Sequence, residues 1–361
     1  MNNTVVLFTA NTQGGIIQFT VQLFHVLRRK NFNVYVYIPE NVKNTDLSEV
    51  ADFLILYKKE KRVFDSRSYQ ALANKINELQ PSFIWFMDNS VVSQKVGLYI
   101  NKQVKQFLTM HDAGNYHPTN KTTLRSFASN KYNEILSKRY FKKVFRFVLL
   151  SKESVQTFQK NVPDYQRATI LMNLGAHLPL DEEILPPEAK ELEEGKYYLF
   201  FGRIDKYKGI GTLLRTYNAA HSAYPLVIAG NGKLTEEEHE LLQKCTGVVL
   251  INRYILDGEM KWLLSHSMSV CLPYIEATQS GIIPLAYFYK KPAIISNVPG
   301  LTQFVQDYKT GIICSNDEEW IQIFNTFTDE KSTAMKADIA KYYKDNLDWD
   351  TNIQAVLDCV R

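Results

Sequence analysis

The chain has 361 residues with 45% hydrophobic and 22% charged side chains, which is typical of a folded globular protein and excludes a disordered or collagen-like chain. This length exceeds what one compact core usually supports, so we expect two domains. Residues 1–180 hold 24 Lys and Arg against 12 Asp and Glu, whereas the remainder holds 18 against 26, which indicates either an anionic partner for the basic half or a solvated basic surface.

Short apolar runs alternate with helical patterns along the first half. Ile16–Lys30 carries apolar residues at three- and four-residue spacing, which predicts an amphipathic helix, and its last turn is basic. The predicted strands are Val5–Phe8, Val34–Ile38, Phe53–Tyr57, Phe83–Met87, Phe107–Met110, Phe147–Leu150 and Thr169–Met172. Strands that alternate with helices build a parallel sheet covered on both faces.

The alternation stops at Leu180–Gly195 and then resumes. This segment is acidic and contains Pro186-Pro187, which is typical of a connection between domains. The strands predicted after it are Tyr198–Phe201, Leu226–Ala229, Val248–Ile251, Ser269–Leu272 and Ala293–Ser296. We therefore predict an α/β protein made of two successive doubly wound, Rossmann-like units.

A glycine pair follows the first predicted strand. Gly14 and Gly15 allow backbone N–H groups to approach a phosphate or a sugar without a side chain intervening. The segment is not GxGxxG, and no acidic residue ends the second strand, so a dinucleotide site is disfavoured. An ordinary turn remains the alternative.

A basic segment follows the first strand of the second unit. Gly202 is followed by Arg203, Lys206 and Lys208, and a helix is predicted to start near Gly209. Two or three cations and a helix N-terminus directed at one point would hold a diphosphate. The alternative is a solvated basic turn.

Several motifs in chain order resemble the retaining GT-B glycosyltransferases of glycosyltransferase family four. The matching positions are Gly14-Gly15, His111-Asp112, Gly202-Arg203-Ile204, Lys208-Gly209, Ala229-Gly230-Asn231-Gly232, Asn252-Arg253-Tyr254-Ile255, Asp257-Gly258-Glu259, Leu272–Pro284, Pro292–Ser296, Gly300-Leu301 and Tyr308–Ile312. The resemblance implies two Rossmann-like domains that face a cleft. It places the N-terminal, acceptor-side domain at 1–180, a linker at 181–195, the nucleotide-sugar-binding domain at 196–340 and a C-terminal helix that crosses back at 341–361.

The resemblance also assigns roles to individual residues. Arg203 and Lys208 would bind the donor diphosphate and stabilise the charge on the leaving group, and His111 would lie beside the donor sugar. The base would lie near the Arg253-Tyr254-Ile255 segment. The residues implied in donor binding are Gly14, Gly15, Gly202, Arg253, Tyr254, Ile255, Glu276, Thr278, Gln279, Ser280, Gly281 and Ile282. Among these, Ser280, Gly281 and Ile282 would offer backbone N–H groups to the distal phosphate.

The chain departs from the family at two acidic positions. Family members commonly carry two glutamates eight residues apart, and a gap-free alignment puts Ala277 and Leu285 in their places. Glu276 is one residue from the first position, and Thr278, Gln279 and Ser280 are candidates to replace its polar contacts. The single Asp-x-Asp, at Asp348 and Asp350, follows no strand, and we interpret it as a helix start rather than a metal site.

The resemblance therefore implies a metal-independent retaining glycosyltransferase of the hexosyltransferase type, without a cofactor. It would move a sugar from a nucleotide-diphosphate donor, a UDP-sugar, to a lipid-linked or glycan acceptor in surface polysaccharide or glycolipid synthesis, with no nucleic-acid partner. The alternatives are a catalytically silent nucleotide-sugar-binding partner of another transferase, and a GT-B sugar phosphorylase or epimerase.

Location is predicted from what the sequence lacks and from one basic segment. There is no apolar run of membrane-spanning length, no signal-peptide pattern and no clustering of the four cysteines, which favours the cytoplasm. Peripheral contact with an anionic membrane is predicted from basic residues beside an apolar stripe formed by Tyr132, Leu136 and Tyr140. The basic residues are Lys131, Lys138, Arg139, Lys142, Lys143 and Arg146, with Lys58, Lys59, Lys61 and Arg62 added from a second segment. A structural helix with a solvated basic face is the alternative.

Overall fold

The structure, a computed structural model, describes residues 3–12, 14–42, 47–58, 66–111, 124–178 and 182–360. The chain divides into two compact units. The first comprises residues up to Asn173 together with those from Asn352 onward, and the second is Leu174–Thr351.

The first unit is a seven-stranded parallel sheet with helices between its strands. Its strands are β1 Thr4–Phe8, β2 Asn33–Pro39, β3 Leu54–Tyr57, β4 Phe83–Phe86, β5 Lys105–Met110, β6 Arg146–Leu149 and β7 Thr169–Leu171. Its helices are α1 Gly15–Arg29, α2 Ser66–Glu78, α3 Val91–Tyr99, α4 Leu124–Phe141 and α5 Lys152–Asn161, with short 3₁₀ helices at Ser48–Phe53 and Pro163–Ala168. The strand order is β3-β2-β1-β4-β5-β6-β7, and every pair is parallel.

The second unit repeats this design with six parallel strands. They are β8 Tyr198–Phe201, β9 Leu226–Ala229, β10 Val248–Ile251, β11 Ser269–Leu272, β12 Ala293–Ser296 and β13 Gly311–Cys314, in the order β10-β9-β8-β11-β12-β13. Its helices are α6 Ile210–Ala219, α7 Glu236–Lys244, α8 Asp257–His266, α9 Ile282–Phe288, α10 Pro299–Thr302, α11 Asp317–Thr326 and α12 Asp329–Asn346, with 3₁₀ turns at Pro187–Ala189 and Lys206–Lys208. The chain ends in the short helices α13 Trp349–Asn352 and α14 Gln354–Leu357.

The apolar runs of the sequence form strands that are buried beneath helices. All four residues of β4 and the last four of β1 are fully buried, as expected for central parallel strands with helices on both faces. In α1 the residues at three- and four-residue spacing, including Phe19, Leu23 and Leu27, are buried against the sheet. The predicted α/β fold class with two Rossmann-like units is confirmed.

The acidic segment expected to connect the domains is packed onto the second unit. Ala189 is fully buried in that unit's core, and the backbone N–H of Ile184 donates to the carbonyl of Gly258, 3.0 Å away. A Cβ on Gly258 would lie 2.4 Å from the carbonyl oxygen of Glu182, so a glycine is needed for this approach. The described part of the segment, residues 182–195, is therefore a structural element of the second unit.

Asp348 begins a short helix near the C-terminus, as the sequence predicts. Its carboxylate accepts hydrogen bonds from the backbone N–H groups of Asp350 and Thr351, at 3.0 and 3.3 Å. Trp349 is buried, and its indole N–H donates to the carbonyl of Ala176. Within the described ranges, no cluster of three or more His, Cys, Asp or Glu side chains is placed to hold a metal ion.

Candidate active site

The two segments with the strongest sequence signals meet where the strand order of the second sheet reverses. β8 and β11 are neighbours at this point, and ligands of open α/β sheets bind beyond the carboxyl ends of such strands. Gly202–Gly209 follows β8, and Pro273–Gly281 follows β11. The backbone N–H of Ile275 donates to the carbonyl of Tyr207 at 2.9 Å, which joins the two segments directly.

Lys208 is held between two aromatic rings at this junction. Its Nζ lies 3.6 Å from the centre of the Tyr274 ring and 4.8 Å from that of Tyr207. Burial, together with the positive charge of Arg203, lowers the pKa of Lys208 to about 8, although Asp205 acts in the opposite direction. The structure thus places two cations close enough to repel one another at the predicted diphosphate site, and an anion between them would remove that repulsion.

Two glycines of the site are required by close backbone approaches. Gly209 has a φ of 71°, and a Cβ there would lie 1.8 Å from the carbonyl oxygen of Pro273. Gly230 has a φ of 152°, and its Cβ would lie 1.8 Å from the carbonyl oxygen of Gly202. The N–H of Gly202 in turn donates to Ala229 at 3.0 Å. These glycines of the family pattern pack one strand-end loop against the next.

The loop after β11 is held by contacts within itself and with neighbouring segments. Ser280 is buried, and its Oγ accepts the backbone N–H of Ile282 at 3.2 Å, so that N–H is already hydrogen-bonded within the protein. Gly281 is exposed just before α9, and Glu276 is exposed on the loop. Thr278 and Gln279 are half-buried. A Cβ at Gly300 would lie 2.0 Å from the carbonyl oxygen of Ala277, so α10 packs tightly beneath the loop.

Arg253 is an anchor between two glutamates. Nε and Nη2 donate to Glu188 at 3.0 and 2.9 Å, Nη1 and Nη2 donate to Glu259 at 2.7 and 2.8 Å, and Nη1 also donates to the carbonyl of Tyr254 at 3.2 Å. These bonds use all five guanidinium donors and raise the pKa of Arg253, with Glu259 as the main cause. Arg253 therefore fixes the loop after β10, which leaves the exposed Tyr254 ring as the group there that is open to a ligand, while Ile255 is buried.

The predicted residues of the first unit lie beyond β1 and β5. Gly14 and Gly15 are exposed at the start of α1, and a Cβ on either would meet no atom within 4 Å, so the backbone here is accessible. His111 follows β5, and its Nε2 lies 2.9 Å from the carbonyl oxygen of Met87. Because a carbonyl only accepts, Nε2 carries the proton in this contact. Asp112 lies outside the described residues.

Asp88 is a residue of this region that the sequence analysis missed. It is 5% exposed, and its carboxylate accepts four hydrogen bonds. The donors are the Thr9 hydroxyl at 2.8 Å, the Ala10 N–H at 2.7 Å, the Ser90 N–H at 3.0 Å and the Ser93 hydroxyl at 2.8 Å. Burial alone would raise the pKa of Asp88, but these bonds outweigh it and hold the pKa below its usual value. Asp88-Asn89-Ser90, a polar triplet directly after an apolar strand, was the available signal.

The apolar stripe assigned to membrane contact faces the core of the first unit instead. Leu136 is 6% exposed and Tyr140 is fully buried, with its ring edge against Phe86. The basic row is also interrupted, because Lys143 donates to the carbonyl of Leu98 and Arg146 is the first residue of β6. From residue 131 onward, α4 and the residue after it expose four cations, Lys131, Lys138, Arg139 and Lys142, together with Glu134 and Ile135. Lys58 is described, and Lys59, Lys61 and Arg62 lie outside the described residues.

A half-open cavity of about 320 Å³ lies in the first unit beyond β2 and β3. Its lining combines aromatic rings, aliphatic side chains and two lysines. The lining residues are Tyr37, Ile55, Leu56, Tyr57, Lys58, Ser68, Tyr69, Ala71, Leu72, Lys75 and Val92.

No helix in the described ranges is long and apolar enough to cross a membrane.

Comparisons with known proteins agree with the fold. Residues 181–345 match the model of the family described as glycosyl transferases group 1. Anabaena Alr3699/HepE, solved in complex with UDP and glucose, superposes with a TM-score of 0.72 and 13% identity over 98% of both chains. A glycosyltransferase from Rickettsia africae ESF-5 has a TM-score of 0.70 and 16% identity over 99% of this chain and 97% of its own.

A third structure is the lipopolysaccharide outer core galactosyltransferase WaaB in its apo form, with a TM-score of 0.70 and 11% identity over 99% of both chains. A search of the curated protein sequences finds no match. The resemblance drawn from the sequence motifs is confirmed. The chain has the GT-B fold, and residues 181–345, within its second unit, match the glycosyl transferases group 1 family.

Proposed function

We propose that this protein is a metal-independent, retaining glycosyltransferase that transfers a sugar from a UDP-sugar to a glycan or lipid-linked acceptor. The observation that carries the proposal is the pair of cations, Arg203 and Lys208, at the strand-order reversal of the matched domain. In sugar transfer from a nucleotide sugar, the bond between the anomeric carbon and the diphosphate oxygen breaks, and negative charge develops on that oxygen. Fixed cations beside it lower the barrier in the way that a bound metal ion does in other enzymes.

The donor class is proposed from chemistry and from the relatives. A guanidinium and an ammonium match the two phosphates of a nucleoside diphosphate, and the exposed Tyr254 ring beyond β10 is suited to stack on its base. HepE is solved with UDP-glucose, which makes uridine the first base to test. Thermal shifts with a panel of nucleotide sugars would identify the donor. Incubation with glycan and lipid-linked acceptors, followed by NMR of the product's anomeric proton, would then test transfer and retention.

A catalytically silent nucleotide-sugar-binding protein is the second candidate, and one observation favours it. The position of the second family glutamate is filled by Leu285, which is 3% exposed in the core of the second unit, and that of the first by Ala277. Slow hydrolysis of the donor would distinguish an enzyme from a binding protein. Release of sugar 1-phosphate in the presence of inorganic phosphate would instead indicate a phosphorylase, and interconversion of donor sugars an epimerase.

Glu276→Gln is expected to slow transfer by about three- to tenfold without abolishing it. Glu276 is exposed on the loop after β11, where it can donate no proton while ionised and can accept a hydrogen bond from a sugar hydroxyl. Glutamine keeps an acceptor oxygen but not the negative charge, and this weakening of the hydrogen bond costs about 0.5–1.5 kcal/mol. Initial rates with the matched donor and acceptor measure the effect. Complete loss of transfer with unchanged donor binding, or a glycosyl adduct on Glu276 detected by mass spectrometry, would show that Glu276 is the nucleophile.

Acceptor binding and membrane contact are proposed for the first unit. The cavity beyond β2 and β3 combines tyrosine rings, which stack on sugars, with lysines that pair with phosphate or carboxylate groups. The exposed cations of α4 supply on the order of 1 kcal/mol each near an anionic bilayer, although Lys138 is partly neutralised by Glu134, 2.6 Å away.

Binding to anionic vesicles at low salt, and not to neutral ones, is the expected result. A variant with Lys131, Arg139 and Lys142 changed to glutamate is expected to lose it, since the basic face then becomes acidic. Co-sedimentation measures both proteins. Equal sedimentation with neutral and anionic vesicles would contradict membrane contact through this face.

A further inference from the structure

Asp88 is a buried, ionised carboxylate that has no role in the function proposed above. Asp88 lies two residues after the end of β4, with Met87 between them. The strand order of the first sheet reverses between β1 and β4, so Asp88 lies at this reversal. This point is the counterpart of the position that Arg203 and Lys208 occupy in the second sheet. A carboxylate here is costly to bury, and its four hydrogen bonds offset that cost.

The four bonds connect two turns that are far apart in the sequence. One carboxylate oxygen accepts from Thr9 and Ala10, in the turn that leads from β1 to α1, and the other accepts from Ser90 and Ser93 at the start of α3. The carbonyl of Thr9 also accepts the Tyr57 hydroxyl, at 2.9 Å, which ties the end of β3 to the same turn. The turn before the glycine pair is thus fixed from two sides.

The residue before Asp88 holds His111. The carbonyl of Met87 accepts the Nε2–H of His111, and the edge of the His111 ring packs against Phe19 of α1. Met87 and Asp88 therefore contact two elements of the first unit: the Asp88 carboxylate binds Thr9 and Ala10 in the turn that leads to the glycine pair, and the Met87 carbonyl binds the His111 ring.

We propose that Asp88 is a positioning residue for sugar transfer, which sets the turn before Gly14-Gly15 and, through Met87, the His111 ring. This inference rests on the proposed function, because the positioned groups are assigned to the donor sugar. A carboxylate is required because an asparagine at this position has one acceptor oxygen instead of two. One pair of the four donors would lose its acceptor, and water cannot replace it, because each pair includes a buried residue: Thr9 and Ala10 in one and Ser93 in the other.

Asp88→Asn and Thr9→Val test the proposal in the full-length protein. We expect Asp88→Asn to lower kcat for the UDP-sugar by about ten- to hundredfold, as small misplacements of catalytic groups do. The isosteric Thr9→Val removes the donor to Asp88 and the acceptor of the Asn11 N–H in the same turn, and should lower kcat by about three- to tenfold. Thr9→Ser, which keeps the hydroxyl, should restore it. The Kd for UDP should stay within twofold of wild type in all three, because Arg203 and Lys208 belong to the second unit.

Ser151→Ala is the matched control for lost stability. Ser151 caps α5 as Ser90 caps α3, with its Oγ accepting the Ser154 N–H at 3.0 Å, but it follows β6, which β4 and β5 separate from β1 in the sheet. It should lower the melting temperature with no change in kcat at 25 °C. Wild-type kcat in both Asp88→Asn and Thr9→Val, measured where both are folded, would overturn the positioning role.

A readout without turnover separates this inference from the proposed function. Hydrogen–deuterium exchange of peptides covering residues 9–19 should be faster in Asp88→Asn and Thr9→Val than in wild type or Ser151→Ala. Unchanged exchange there would show that Asp88 does not hold the turn. If wild type turned over no nucleotide sugar, the proposed function would fail, and the exchange data would still decide whether Asp88 holds this turn.

Discussion

Lys208→Ala is expected to weaken UDP binding by about ten- to hundredfold. The Lys208 ammonium lies over the Tyr274 ring and beside the Arg203 charge, where it is half-desolvated and has no carboxylate within salt-bridge distance in the described structure. A bound diphosphate would offset the repulsion between Lys208 and Arg203. It would also accept a charge-assisted hydrogen bond from Lys208, which is worth roughly 1.5–3 kcal/mol. Arg203→Ala should have an effect of similar size for a different reason: Arg203 is exposed, but its guanidinium can donate two charge-assisted hydrogen bonds to one diphosphate. Isothermal titration calorimetry measures both.

Lys206→Ala is the matched control for Lys208→Ala. Lys206 belongs to the same turn and carries the same charge, but it is exposed to solvent. Its removal should change the affinity by no more than about threefold, because exposed charges interact weakly through water. Equal losses in the two variants would show that only the net charge of the turn matters, and unchanged affinity in Lys208→Ala would place the diphosphate elsewhere.

Because the pKa of Lys208 is lowered, the affinity for a nucleoside diphosphate should depend on pH. With a pKa of about 8 in the free protein, the ammonium is present below pH 8 and is lost as the pH rises through 8. UDP-glucose affinity should therefore fall between pH 7 and 9.5. Binding at pH 8 should also take up a proton, because the diphosphate raises the pKa of Lys208. Calorimetry in buffers of different ionisation enthalpy detects this uptake, which should persist in Lys206→Ala and vanish in Lys208→Ala.

The sequence predicts the fold well because burial of parallel strands leaves a local pattern. Every strand from β1 to β12 coincides with an apolar run, and the helices α1 to α9 lie between strands of this set. β13, Gly311–Cys314, was not predicted as a strand, because four residues beginning with a glycine do not stand out from a turn. It forms as a strand because β12 offers it a parallel edge, which is a tertiary contact.

The sequence motifs identify the site residues, but only the structure shows their burial, the direction of their pKa shifts and their hydrogen-bond partners. The low pKa of Lys208 arises from burial under Tyr274, which is 66 residues away along the chain, and the sequence does not show this contact. Arg253 was assigned to the nucleotide end of the site, yet all its donors are used, one partner being Glu188 in a segment interpreted as a linker. Asp88 was missed because its bonds to Thr9 and Ala10 span almost 80 residues.

Gly209→Ala is expected to destabilise the second unit by about 2–5 kcal/mol. The left-handed φ of 71° costs a residue with a Cβ about 1–2 kcal/mol, and overpacking adds about 1–3 kcal/mol. Here the overpacking is severe, because the added carbon would lie 1.8 Å from the carbonyl oxygen of Pro273, a backbone atom that cannot rotate away. For a unit of this size the melting temperature should fall by roughly 5–15 °C.

The same substitution should also impair the site, because relief of the clash requires the loops after β8 and β11 to separate. Lys208 would then move off the Tyr274 ring, and UDP affinity should fall at least as far as in Lys208→Ala. Gly211→Ala is the control: Gly211 is helical, and its Cβ would meet only the Glu238 side chain at 3.7 Å, so alanine should be neutral or stabilising by up to about 1 kcal/mol. Thermal unfolding and UDP titration of both variants give the comparison. Wild-type stability and affinity in Gly209→Ala would mean that the two loops do not approach one another, and the diphosphate site would have to be built from β8 alone.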